Sequence, residues 1–385
     1  MKKNIETIFT NSFYCVIIIS VKKQKGDLTM KLSNETIALL EDIERRIDPE
    51  IEDDFKKQWE DFNYDRFEGD VFTPERKKPS QPSLDLPQIN INDAIEDYDV
   101  MLRSQLVSVS KALSSPNLTP SVRANYGTGI LSSLFGAEIF VMPRHQNTLP
   151  TTKPFDDTAK IEEIVEKGIP DLNGGFGQKV FEFGELCAET FAKYPKINKY
   201  VTVYHPDLQG PLDICELMWG GEMFYSLYDE PELVHSTLSL ITDTYTEFLN
   251  KWYKIFPGDS YMSVHWNKGW HKGKIFLRCD SAMNLSPEFY KEFAAPYDGI
   301  LLDRFDGGGM HFCGKGDHYI ETLCSHPKLY AINLGQPHYN DMEKIFQNSV
   351  DKGIKIFGYH TDIPYRPTGY NHSIHSQRKQ VAKKA

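Results

Sequence analysis

The chain reads as an α/β protein, specifically a (β/α)8 TIM barrel with an N-terminal helical extension. Three observations predict it. Beyond residue 120, short apolar and β-branched runs alternate with long amphipathic stretches, the rhythm of strand and crossover helix that builds a parallel sheet. Several strand candidates are followed at once by loops rich in His, Cys, Asp and Asn, which is where a barrel carries its functional residues. No Gly-rich phosphate fingerprint follows an early strand. Gly174-Gly175-Phe176-Gly177 comes too far from one and reads as a loop, which ranks a doubly wound sheet second. At 385 residues the chain has room for two average domains or one large barrel.

The elements follow from local signals. In residues 1–29, Lys2 and Lys3 precede an apolar stretch, Phe13 to Val21, followed by Lys22, Lys23 and Lys25. That stretch is too short to span a bilayer, which takes about 20 apolar residues, and no small-x-small cleavage signal follows it. Lys25-Gly26-Asp27 can be encoded by AAAGGAGAT, a ribosome-binding sequence just upstream of Met30, so the expected start is Met30 and 1–29 a translated leader. Residues 30–119 are expected to hold helices and a proline-rich arm. A first helix, capped by Ser33 or Asn34, carries Ile37, Leu39, Leu40, Ile43 and Ile47 at helical spacing. An acidic, then proline-rich stretch from 48 to 92 is placed outside the core. A further helix runs from Asp93 to Leu113, with Asn92 as its cap, and ends at Ser114-Ser115-Pro116.

Residues 120–385 are assigned to the barrel. Strands are expected at Val122–Tyr126, Glu138–Met142, Tyr200–His205, Lys274–Asp280, Met310–Cys313, Leu329–Leu334 and Ile354–Tyr359. Helices are expected at Gln178–Lys193, Pro231–Ile255, Pro287–Ala295, Tyr319–Cys324 and Asp341–Lys352.

Composition narrows the function. A net charge of −11, with the only basic run at Arg378 to Lys384, argues against nucleic acid as the main partner. No segment calls for a membrane. Six cysteines scattered without a framework read as reduced thiols of a cytoplasmic protein. The 48 aromatic residues (23 Phe, 20 Tyr, 5 Trp) suit a cleft for a flat or bulky small molecule, or equally a well-packed interior.

The most telling motif is Gly307-Gly308-Gly309-Met310-His311-Phe312-Cys313-Gly314. On an extended segment residues two apart share a face, so His311 and Cys313 converge. Imidazole and thiolate suit zinc, which keeps a bound thiol deprotonated; the alternative is a buried histidine beside a packed cysteine. Asp280 can orient a substrate or hold a ligating histidine, or simply cap and turn the chain before Ser286-Pro287. Asp207 and Gln209 can line the mouth, or shape the turn at Gly210-Pro211. Arg123 and Asn125 alternate on the first strand and would face the barrel centre together. His265, Trp266, Trp270 and His271 flank an expected hairpin at Asn267-Lys268-Gly269, to stack on a cofactor ring or to pack an insertion onto the barrel.

From about residue 95 onward the chain resembles the uroporphyrinogen decarboxylase superfamily. The carriers are Asp207-Leu208-Gln209-Gly210-Pro211-Leu212 with Gly220, Asp280-Ser281 with Leu285 to Phe293 and Pro296-Tyr297, and His311-Phe312-Cys313-Gly314. The superfamily also holds zinc-dependent methyltransferases that move methyl groups between methylated corrinoid proteins and thiols. The decarboxylases' early Arg-Gln-Ala-Gly-Arg-Tyr and Ser-Asp-Ile-Leu segments are missing, so the resemblance points to the methyltransferase branch. It implies zinc held by His311 and Cys313, a corrinoid as methyl donor or acceptor, and a corrinoid-binding protein as partner. Asp280 would act catalytically, with Arg123, Asn125, Asp207 and Gln209 around the substrate. That branch takes its third ligand from a late cysteine, and none follows Cys324 here. Of the late histidines His360, His372 and His375, His375 is the expected substitute, on an eighth strand formed by Asn371 to Ser376. Two alternatives stay open: a metal-free decarboxylase of a carboxylated ring compound led by Asp280 and Arg123, and a non-catalytic corrinoid binder.

Overall fold

A computed structural model describes residues 31–68, 71–266, 268–357 and 369–370. The expected leader 1–29, the start at Met30, the late histidines and the expected eighth strand lie outside them. The described strands are β1 (Val71–Phe72), β2 (Ser121–Val122), β3 (Glu138–Phe140), β4 (Thr151–Lys153), β5 (Thr202–Val203), β6 (Ser263–Val264), β7 (Trp270–His271), β8 (Ile275–Arg278), β9 (Gly308–Phe312), β10 (Leu329–Leu334), β11 (Lys355–Phe357) and β12 (Gly369–Tyr370). The largest sheet has six strands in the order β1-β12-β11-β10-β9-β8. Its strands β8-β9-β10-β11 run parallel, and β12 and β1 join antiparallel at one edge. A second parallel pair, β2 with β5, stands apart in hydrogen bonding.

The protein is therefore a mixed α/β fold with a parallel sheet, as the strand–helix rhythm predicts. Among the described residues, ladder hydrogen bonds do not close the strands into one eight-stranded ring. Every residue of β9 is buried, as expected of a parallel strand covered on both faces. The glycine run has a packing cause: a Cβ on Gly309 would lie 2.3 Å from the Phe276 ring, and one on Gly308 only 1.7 Å from the Ile275 carbonyl oxygen. Bare backbone is what lets β9 lie close against β8.

Several expectations need correction. Val122–Tyr126 is paired only over Ser121–Val122. Glu138–Met142 contributes no core strand; Glu138–Phe140 forms an antiparallel hairpin with β4 and is largely exposed. The helix expected over Asp93–Leu113 is two, Ile91–Glu96 and Tyr98–Ser114. They break at Asp97, whose carboxylate accepts from the Val100 N–H at 3.0 Å and caps the second. The 48–92 stretch is not wholly outside the core. Pro49–Asn63 is a helix with Asp48 as N-cap and proline in its first turn. It buries Phe55, Trp59 and Phe62 at helical spacing, against Phe72, Val264, Phe276 and Phe357. Arg76 fastens this layer: its guanidinium makes a bidentate pair with Glu52 at 2.7 and 3.0 Å and donates to the Ala112, Ser115 and Leu118 carbonyls. Among the described residues, no helix is long and apolar enough to cross a membrane.

The expected hairpin around 267–269 exists as β6 and β7, paired Ser263 to His271 and Val264 to Trp270. It brings His265 and His271 against His205, and all three are buried. Burial drives their pKa values down, to about 4 for His205 and His271. Depressed folded values make the sign clear: the stabilisation is complete above the unfolded histidine value near 6.5 and is lost as pH falls toward 4. Each such group contributes on the order of 3 kcal/mol. Denaturant midpoints are expected to fall steeply over that window, and less steeply in His271→Asn.

Candidate metal centre

Parallel strands end side by side, and here the ends of β8, β9 and β10 assemble one site. Arg278 of β8 is in register with His311 of β9, and Asn333 of β10 with the same histidine. Asp280, two residues past β8, therefore reaches the loop that carries Cys313. His311 Nε2 lies 3.3 Å from Cys313 Sγ and 3.5 Å from Asp280 Oδ1. Asp280 Oδ1 also accepts the Cys313 N–H at 2.7 Å, fixing the loop on which the sulfur sits.

The tautomer of His311 follows from its neighbours. Asn333 donates its amide Nδ2 to the Phe357 carbonyl at 2.7 Å, which turns its Oδ1 toward His311 Nδ1 at 2.6 Å. Nδ1 must carry the proton, so the Nε2 lone pair faces Cys313 and Asp280. Burial holds the His311 pKa below its ordinary value, against the pull of Asp280, which keeps the ring neutral near pH 7. This is the arrangement of a metal-ligating histidine oriented from behind.

The donor atoms of Asp280, His311 and Cys313 all lie within 4.8 Å of one another. Tetrahedral zinc, with bonds of about 2.0–2.3 Å, sets its ligand atoms about 3.3–3.6 Å apart. The two separations from His311 Nε2 match that spacing, and one oxygen, one nitrogen and one sulfur form a donor set zinc accepts. Without an ion, burial and the Asp280 charge push the Cys313 thiol up to about 11, so the free thiol stays protonated at neutral pH.

Backbone constraints hold the site. A Cβ on Gly335 would lie 2.8 Å from Cys313 Sγ and 3.5 Å from His311 Cε1. Gly335→Ala is expected to displace the sulfur and weaken zinc binding by on the order of tenfold or more. Competition with a chromogenic chelator reads this, with the thermal midpoint as a check on the fold. Behind Asp280, Asp213 accepts from the Asp280 and Ser281 backbone N–H groups at 3.0 and 2.8 Å, and burial raises its pKa to about 7.

Of the residues singled out from sequence, Asp280, His311 and Cys313 meet directly. Asp207 sits alongside, bridging Arg123 at 3.0 Å and Arg278 at 2.5 Å. Arg278 stacks over Trp266 at 4.6 Å, and Trp266 meets His311 edge-on at 4.9 Å. Gln209 is buried in the left-handed region, φ 64°, its amide nitrogen without a hydrogen-bond partner among the described residues. Asn125 is half-buried and makes no side-chain hydrogen bond among the described residues. His375 lies outside them. Asp280 completes the trio within them, where the sequence suggested either a substrate contact or a partner to a ligating histidine. Asn333 and Gly335 were visible only as part of a polar loop after a strand; their roles depend on register.

No family model matches this chain, and no curated protein matches it in sequence. Solved structures do resemble it. One is a methyltransferase from Methanosarcina mazei, with a TM-score of 0.53 and 14% identity, covering 72% of this chain and 75% of that one. At that identity the likeness speaks to the fold.

Proposed function

We propose that this chain is a zinc-dependent methyltransferase of the uroporphyrinogen decarboxylase superfamily, moving a methyl group between a corrinoid and a thiol on a (β/α)8 barrel. The observation that carries the reading is the His311 Nε2 lone pair aimed at Cys313 and Asp280 while Asn333 holds the opposite nitrogen. Likeness in fold to a methyltransferase supports it, as does the siting of the trio at the C-terminal ends of the parallel strands β8 and β9, with His311 next to last in β9 and Asp280 and Cys313 just beyond.

Zinc bound there supplies Lewis acidity that lowers the pKa of an incoming thiol. The chain's residues do the rest. His311 and Cys313 give neutral and anionic donors, and Asp280 adds a carboxylate while steadying the Cys313 loop. Gln336 accepts the Gly314 N–H at 2.5 Å and holds that loop from the other side. In methyl transfer the incoming thiol would release its proton to solvent, its sulfur would bond the methyl carbon, and the corrinoid would depart with the electron pair of the broken carbon–cobalt bond. Arg123, Asp207 and Arg278 frame the mouth, with Gln209 and Asn125 as further substrate contacts. A small corrinoid-binding protein is the proposed partner, and a cytoplasmic location suits the free state of all the described cysteines.

The atoms Cys313 Sγ, His311 Nε2, His311 Nδ1 and Asn333 Oδ1 also have the connectivity of a thiol nucleophile with its base and orienting amide. Asp280 argues against that use, because its charge opposes a thiolate and its oxygen occupies the Cys313 N–H. Decarboxylation led by Arg123 is disfavoured because Asp207 already neutralises that guanidinium.

The test is incubation of zinc-loaded protein with methylcobalamin and a panel of thiols, with mass-spectrometric detection of the methyl thioether. Zinc-dependent product is expected. Retained zinc with no methyl transfer to any thiol would favour the non-catalytic binder, and carbon dioxide release from uroporphyrinogen would favour the decarboxylase.

A further inference from the structure

A cavity of about 280 Å³ opens on the side of the chain where β5 and β8 begin, and none of its lining residues belongs to the Asp280–His311–Cys313 trio. That volume is at the low end for small-molecule pockets. Aromatic side chains on its walls include Phe191, Trp252, Tyr253, Phe256 and Trp270. His265, only 2% exposed, also lines it.

The hydrogen bonds fix what His265 presents. His271 Nδ1 lies 2.9 Å from the Lys272 carbonyl and must be its protonated nitrogen, leaving His271 Nε2 as an acceptor. His265 Nδ1, 2.5 Å away, therefore donates to it. His265 Nε2 is left with a bare lone pair, buried and without a donor among the described residues. A buried acceptor left unmet is costly, and such exceptions call for an explanation.

A metal does not answer it. His205 Nε2 accepts the Phe276 N–H at 3.4 Å and the remaining nitrogens are spoken for, so the cluster offers one free lone pair only. What suits the place is an O–H or N–H donor on a flat ligand. Trp252 presents a second unmet group, its indole N–H. A Cβ on Gly184 would lie 2.8 Å from the far, benzo edge of that ring, so its pyrrole edge points away from the Gly177–Phe191 helix.

Charge at the cavity favours an anion. Lys56, Lys199 and Lys274 line it against a single carboxylate, Asp259. Lys199 and Lys274 have acidic partners in Asp53 and Asp306. The Lys56 ammonium lies 4.7 Å over the Trp270 ring, with no carboxylate in contact among the described residues.

We infer that this cavity is a second small-molecule site, taking a planar aromatic acid that carries a hydroxyl or N–H group. The ring packs between Trp252 and Trp270, the donor meets His265 Nε2, and the acid faces Lys56. The inference does not rest on the methyl-transfer reading.

The experiment is calorimetric titration of the full chain with 4-hydroxybenzoate and with 4-methoxybenzoate, which keeps ring and charge but lacks the donor. One-to-one binding of the hydroxy acid is expected, with the methoxy acid at least about tenfold weaker. Lys56→Met should weaken both, and His265→Phe should erase the difference between them. Cys313→Ala should leave the binding unchanged. No saturable binding of 4-hydroxybenzoate, equal binding of the two acids by the unmodified chain, or loss of binding in Cys313→Ala would each overturn the inference. The comparison of ligands needs no variant and stands even if His265→Phe fails to fold.

Discussion

Cys313→Ala is expected to abolish stoichiometric zinc. It removes the only sulfur of the trio and one of the two donors that sit at tetrahedral spacing from His311 Nε2. Loss of an orienting partner alone typically costs 10–100-fold in metal affinity; loss of a ligand should cost more than about 100-fold. Asn333→Leu isolates the orienting term. It frees the His311 ring to turn or change tautomer while leaving every donor present, and should give a loss inside that range. Elemental analysis of purified proteins and chelator competition read both effects. Cys324→Ala is the control, a buried thiol at the end of the Ile320–Leu323 helix, remote in role from the site. Zinc retained in Cys313→Ala would mean that the ion binds elsewhere.

Trp59→Ala should be the most destabilising single change in the N-terminal layer. The ring is fully buried, meets Phe72 edge-on at 4.9 Å and lies 5.9 Å from Phe357. Removing it empties the centre of the cluster in which the Pro49–Asn63 helix seals the sheet. A Trp→Ala change of this kind costs about 3–5 kcal/mol, to be measured from denaturant unfolding at constant slope. The effect should reach the metal centre. Phe357, which packs on Trp59, supplies the carbonyl that holds Asn333, and Asn333 holds His311. Weaker zinc binding is expected to accompany the loss of stability, whereas unchanged affinity would show the chain of contacts to be slack.

What the sequence disclosed depended on whether a signal was local. The parallel strands Ile275–Arg278, Gly308–Phe312 and Leu329–Leu334 were legible because apolar runs and turn residues mark them. The long helix from Pro231 was legible from its period and stops at Trp252. The Pro49–Asn63 helix was obscured by its acidic residues, although Phe55, Trp59 and Phe62 carry the helical spacing. The break at Asp97 was hidden because aspartate serves equally as a helix interior residue and as a cap, and only the backbone conformation decides. His311 and Cys313 could be paired from a two-residue spacing. Asp280 could be offered as a partner to a ligating histidine but not placed against His311, and Asn333 could not be assigned at all, since their places follow from the register of β8 and β10 against β9, a tertiary fact. Gly335 is the extreme case: its importance lies in the side chain it lacks.

The most direct test of the central claim, that Asp280, His311 and Cys313 hold a zinc ion that takes up a thiol, is X-ray absorption at the zinc edge of the purified protein. The spectrum should show one sulfur at about 2.3 Å with nitrogen and oxygen ligands at about 2.0–2.2 Å. Adding a thiol such as 2-mercaptoethanol should raise the sulfur count from one to two. A zinc ion with no sulfur neighbour, or one whose shell is unchanged by thiol, would contradict the account.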